Sequence, residues 1–184
     1  GIIANASKGP LRARFTVAHE LGHFLIERHV ATASEGFACR AFDMRESRKR
    51  SRHQVQETEA NRFAISLLAP PRLARSWVEA EPDLSAARGL AAALEISRQA
   101  AMIRYVELHD EPLAAVFSAC GAVTGISRGA RFPWIKLKRG DRLGAMTQAG
   151  RVVARGEPGR TRMTEAMAVA WLSDPDVELF EQTR

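Results

Sequence analysis

The sequence predicts an α+β protein: a mainly helical N-terminal part with one short strand, then a smaller mixed part. Three observations carry this. Apolar residues recur at spacings of three and four through long stretches of residues 11–108. After His109-Asp110-Glu111-Pro112 the pattern changes to short apolar runs separated by turn residues. The chain opens on GIIAN, a β-branched apolar run that reads as a short strand.

The elements follow in order. Ser7, Gly9 and Pro10 break the opening strand. Leu11, Phe15, Ala18, Gly22, Leu25 and Ile26 form one buried face and predict a helix to about His29. Residues 30–52 show no period and much charge, so they read as loop. A second helix is expected from about His53 to Ala69, with Ala60, Phe63, Ala64, Leu67 and Leu68 as its stripe. Pro70 and Pro71 end it, because a residue before proline is pushed out of α geometry. Pro71 opens a further helix through Glu79, and Pro82-Asp83 marks the next joint. Residues 85–108 read as helix, sharp turn at Glu95-Ile96-Ser97, and helix, with Ser97 capping the second. LAAVFSA and GAVTGIS flank Cys120-Gly121 as a hairpin. Strands are expected at Trp134–Lys138 and Arg151–Arg155, and helices at about Thr164–Leu172 and Val177–Gln182. The joints divide the chain into 1–80, 81–110 and 111–184.

Composition narrows the class. The chain has 184 residues, 46% hydrophobic and 26% charged, which is ordinary for a soluble globular protein. No apolar run approaches the ~18–20 residues of a membrane helix, and no signal peptide opens the chain. Cys39 and Cys120 are far apart and in no CxxC pattern, so they read as two reduced thiols of a cytosolic protein. The net charge of +6 is concentrated in Arg40–Arg52, which holds Arg40, Arg45, Arg48, Lys49, Arg50 and Arg52. Such runs are mostly solvated loops; the other reading is an anionic partner, with DNA contact through Arg48–Arg52.

The chemistry sits in RFTVAHELGHFLIERH, Arg14 to His29. An HExxH string arises by accident in roughly one chain in a hundred of this composition. On a helix, His19 and His23 are about 40° apart and project from one face, so two imidazoles can hold one tetrahedral Zn²⁺. Glu20 is rotated about 100° from His19, beside the metal rather than on it, where a general base belongs. A third ligand must come from another element. Glu57 on the second helix is the candidate, flanked by Ala60, Asn61 and Ala64. Glu59 lies about 200° round from Glu57 and shares a side with Arg62, so both glutamates cannot face one metal. His53, one turn before Glu57, is a backup ligand or a transition-state donor. His29 and His109 read as surface residues. In this arrangement zinc would activate water and polarise a carbonyl, with Glu20 passing a proton to the leaving amine. Mn²⁺ and Fe²⁺ stay open as the physiological metal.

TVAHELGHFLI together with QETEANRFAISLLAPPR resembles the ImmA/IrrE family of bacterial and phage metallopeptidases. The family pattern E-x-x-A-[ND]-x-F-A-x-x-L-L-x-P falls on Glu57, Ala60, Asn61, Phe63, Ala64, Leu67, Leu68 and Pro70. The resemblance implies a zincin-like peptidase domain with ligands His19, His23 and Glu57, Glu20 as base, and Asn61 orienting a ligand. The paired motifs also look like the thermolysin-type arrangement. LAAALEISRQAAMIRYVEL resembles the helix-turn-helix that follows the peptidase domain in the IrrE-like branch, and residues from 111 onward would be its small α/β GAF-like domain. The chain departs from the family in beginning at GIIAN, where members usually carry further helices and strands, and in its long basic loop between the motifs. Family enzymes cleave a cognate DNA-binding repressor, so the implied partner is a protein substrate, a helix-turn-helix repressor. Residues 90–108 are a second expected DNA contact. The alternatives are a DNA-binding or ligand-sensing regulator with a structural metal site, and a toxin–antitoxin partner acting only by binding. Glu20 separates them, since a structural site has no use for a carboxylate beside the metal.

Overall fold

A computed structural model describes residues 2, 4, 6, 7, 9–29, 52–78, 81–156 and 159–184. The opening strand rests largely on residues outside this set, as do Cys39, Glu79 and the basic run through Ser51. Among the described residues, no helix is long and apolar enough to cross a membrane.

Helix α1 (Pro10–Leu25) starts with proline in its first turn, where no amide partner is lost. It stops four residues short of the expected end. Ile26 is extended, its N–H closing on the Gly22 carbonyl, and the His29 N–H then bonds the Ile26 carbonyl at 2.9 Å. This turn folds His29 back rather than carrying it onward. Helix α2 (Arg52–Leu68) packs on α1 through small residues: Ala18 and Gly22 on α1, Ala60 and Ala64 on α2 are all buried. A Cβ on Gly22 would lie 3.0 Å from Phe63 Cδ1 and 3.2 Å from Ala60 Cα, so glycine is what lets the two backbones meet.

Helices α3 (Pro71–Val78), α4 (Leu84–Ala93) and α5 (Arg98–Leu108) follow. With the end of α2 they enclose a core of Ala69, Ala74, Val78, Ala87, Leu90, Ala91, Ile96, Ala101 and Tyr105. Ser97 caps α5, its hydroxyl accepting from Ala100 N–H at 3.1 Å, and Glu95 takes the left-handed conformation at the turn. Two arginines tie this unit to α1 and α2. Arg14 donates to the carbonyls of Leu94 and Glu95 just past α4. Arg104 is buried and donates to the Ala69 carbonyl at 2.8 Å and to Glu107 at 2.7 Å.

Asp83 caps α4 and also reaches the C-terminal segment. Its carboxylate accepts from Ser85 N–H and hydroxyl, from Gln182 Nε2 at 3.0 Å and from Arg160 at 3.2 Å. These bonds, Ser85 first and Gln182 next, hold its pKa down from 3.8 to about 2. A lowered folded-state pKa means its contribution is complete above about pH 4 and lost as pH falls toward about 2. Asp83→Asn keeps a capping side chain but no titration. The urea midpoint of wild type is expected to fall more between pH 7 and pH 3 than that of Asp83→Asn; equal falls refute the assignment.

Strands β1 (Ala114–Ala119) and β2 (Ala122–Arg128) form the expected hairpin, Ala119 opposite Ala122 and Ala114 opposite Arg128. Cys120 and Gly121 both have positive φ, the requirement of a two-residue type I′ turn. Beyond it, four expectations fail, the strand at Trp134–Lys138 among them. Residues 151–155 belong to helix α6 (Gln148–Arg155), not a strand. Thr147 caps it, the Glu181 carboxylate accepts from the N–H groups of Gln148 and Ala149, and left-handed Gly156 ends it. The stretch 164–172 is strand β3 (Thr164–Glu165) followed by a 3-10 turn at Ala168–Ala170. The short helix expected at 177–182 contains strand β4 (Phe180–Glu181), paired antiparallel with β3. Ile135 makes only an isolated bridge to Leu172, in a second core with Ala168, Trp171 and Leu179.

Candidate metal centre

Helical spacing brings His19 and His23 to one buried face of α1, a turn apart. The close α1–α2 contact then sets Glu57 of α2 against them. Three donor groups converge there. His19 Nε2 and His23 Nε2 are 3.1 Å apart. Glu57 Oε2 lies 3.4 Å from the first and Oε1 3.1 Å from the second. The three residues form a buried cluster of potential metal-binding donors.

The contacts behind the imidazoles decide which nitrogen faces inward. His19 Nδ1 is 3.1 Å from Asn61 Oδ1, an acceptor. His23 Nδ1 is 2.9 Å from His29 Nδ1, and His29 Nε2 is 2.9 Å from Glu59 Oε2. A carboxylate only accepts, so His29 carries its hydrogen on Nε2. A neutral His29 then offers a lone pair at Nδ1, and His23 donates to it from Nδ1–H. By this assignment both inward Nε2 atoms carry lone pairs, facing one another and a carboxylate. Three electron-rich atoms packed together out of water are what a cation would hold in place. Bonds of ~2.0–2.1 Å to tetrahedral Zn²⁺ put ligand atoms about 3.3–3.4 Å apart. The donor set therefore fits an ion of that kind.

Electrostatics agree with ligand chemistry. Burial is the largest influence on His23; Glu57 opposes it, His19 and His29 add to it, and the pKa falls from 6.5 to about 4. His23 is thus neutral near pH 7, as a ligand must be. Hydrogen bonds from Arg28, then from His29, hold the Glu59 carboxyl down at about 2. Arg28 reaches both its oxygens, at 3.1 and 2.6 Å.

Glu20 follows His19 on α1 and is half-buried. His53 sits one turn before Glu57, its Nδ1 3.9 Å from Glu57 Oε1. One reading needs correction. His29 is not a surface residue: its side chain is 0% exposed, because the turn after α1 folds it onto His23. Glu59 lies off the donor cluster, as its offset of about 200° from Glu57 predicts, and bonds Arg28 and His29. His109 is half-buried, its Nδ1 accepting from Glu111 N–H and its ring 5.1 Å from that of Tyr105. One sequence signal did point to His29. It follows His23 by six residues, as the third histidine does in H-E-x-x-H-x-x-G-x-x-H, although Ile26 stands where that pattern has glycine. Its ring, however, meets His23 at Nδ1, on the side away from the donor cluster.

The IrrE N-terminal-like domain family, Peptidase_M78, matches residues 1–105, which include His19, Glu20, His23, His29, His53, Glu57, Glu59 and Asn61. No curated protein sequence matches the chain.

Proposed function

Because the chain belongs to the IrrE N-terminal-like family of metallopeptidases, we propose that it is a zinc-dependent endopeptidase that cleaves a DNA-binding repressor at a defined site. The observation that carries the reading is the buried His19–His23–Glu57 cluster with Glu20 beside it on the same helix. His19, His23 and Glu57 would hold the ion. When bound, such an ion activates water and polarises a carbonyl. Glu20 accepts the proton from the attacking water and returns it to the leaving amine. Asn61 fixes the ring of His19 through Nδ1. His53, at the edge of the cluster and part-exposed, would donate to the carbonyl oxygen as charge develops there.

The repressor as substrate follows from the family resemblance, and relief of repression in stress response or mobile-element control is the proposed outcome. The α4–turn–α5 unit supports a helix-turn-helix shape and with it the competing reading of a DNA-binding regulator. Arg104 of α5 is turned inward to Ala69 and Glu107, leaving Arg98 as that helix's exposed cation. The GAF-like assignment of 111–184 belongs to the same proposal. The test is incubation of zinc-replete protein with helix-turn-helix repressors encoded beside the gene, read by intact mass. One cut, abolished by a chelator and restored by zinc, is expected. A regulator with a structural metal would bind but leave every repressor whole.

A further inference from the structure

We propose that His29 and Glu59 form a relay that positions His23 and selects its metal-binding tautomer; this rests on the metal-site reading above. Each histidine of the cluster is held from behind by a residue of α2. For His19 the holder is Asn61, four residues after Glu57 and therefore on nearly the same face, and it reaches Nδ1 directly. For His23 the holder is Glu59, two residues after Glu57 and about 200° round the helix. Glu59 cannot reach His23 itself, and His29 fills the gap. The turn at Ile26–His29 places its ring 4.9 Å from that of His23, centroid to centroid.

The path has a direction. Arg28 donates twice to Glu59, Glu59 accepts from His29 Nε2, and in the tautomers assigned above His29 Nδ1 accepts from His23. Its anionic end is more exposed and its histidines are sealed: side-chain exposure is 23% for Glu59, 0% for His29 and 1% for His23. A carboxylate acting through an imidazole orients the ligand ring and raises its basicity. Without it His23 is free to place its hydrogen on Nε2, which cannot bind a cation.

The side chains that substitute for His29 separate positioning from packing. Gln keeps the order of groups: its carbonyl can accept from His23 Nδ1–H while its amide donates to Glu59. Phe keeps a buried ring and neither bond. Zn²⁺ affinity is measured on the full chain by competition with a chromogenic chelator, with the d–d spectrum of the Co²⁺ form as a second readout. His29→Phe is expected to bind Zn²⁺ about 10–100-fold more weakly, with an altered Co²⁺ spectrum. His29→Gln is expected to recover most of that loss. Glu59→Gln, at the more exposed end where folding is least at risk, is expected to weaken binding as well. Wild-type affinity in His29→Phe or in Glu59→Gln, or His29→Gln as weak as His29→Phe, overturns the relay while leaving the metal site standing. A wild type that takes up no divalent ion overturns the metal reading, and the relay with it.

Discussion

Glu20→Gln is expected to keep the metal content and thermal midpoint of wild type while lowering the rate of the proposed peptide cleavage by about 10²–10⁴-fold. The size is what a positioned proton carrier contributes. The selectivity follows from placement. Glu20 shares α1 with His19 and His23 but is outside the cluster of three donors, so its loss leaves that cluster intact. The substitution is nearly isosteric and sits at a half-buried position, so little packing is lost. Gln cannot take a proton from water near neutral pH. Metal analysis beside a cleavage time course checks both halves. Normal cleavage by this variant would remove the general-base assignment; loss of metal would show that Glu20 supports the ion rather than the proton transfer.

Glu57→Ala is expected to abolish both metal retention and cleavage. Glu57 supplies the carboxylate that closes the cluster, 3.1 Å from His23 Nε2 and 3.4 Å from His19 Nε2. Its removal deletes a donor outright, so the loss of affinity should exceed the ~10–100-fold typical of removing an outer hydrogen-bonding partner. It also removes the only carboxylate among the three donors, leaving two imidazoles to hold a dication. Metal per chain after desalting, and a zinc titration of the metal-free protein, give the measurement. Wild-type stoichiometry and affinity in the variant would mean that the third ligand lies elsewhere, with His53 next in line by its 3.9 Å separation from Glu57. The pair of variants separates holding the ion from using it, since one loses metal and chemistry together and the other chemistry alone.

Local features of the site were legible in the sequence because they depend only on helical geometry. A four-residue spacing puts His19 and His23 on one face of any α-helix. The apolar faces that carry Ala18 and Gly22 on one helix, and Ala60 and Ala64 on the other, follow from the same periodicity. Ser97 as a cap and Cys120-Gly121 as a tight turn are equally local: each rests on the preference of one or two residues for a backbone conformation. The α6 error was local as well. The expected strand spanned Val152 and Val153, while Thr147 and Gly156, the start and stop signals of a helix, lie on either side.

What tertiary structure decided depends on residues far apart in the chain. Strands β3 and β4 exist through each other, and neither two-residue segment carries a pattern of its own. The role of His29 is of the same kind. The sequence alone runs α1 on to His29 and leaves that histidine at the surface; the stop at Leu25 instead folds it over His23. Glu59 then completes the arrangement from α2, 30 residues away from His29 in sequence. By itself the sequence determined which side chains share a helix face, because that follows from a rise and a rotation per residue. Which group stands behind each histidine was decided by tertiary packing, because a buried Nδ1–H must find its acceptor wherever the folded chain brings one.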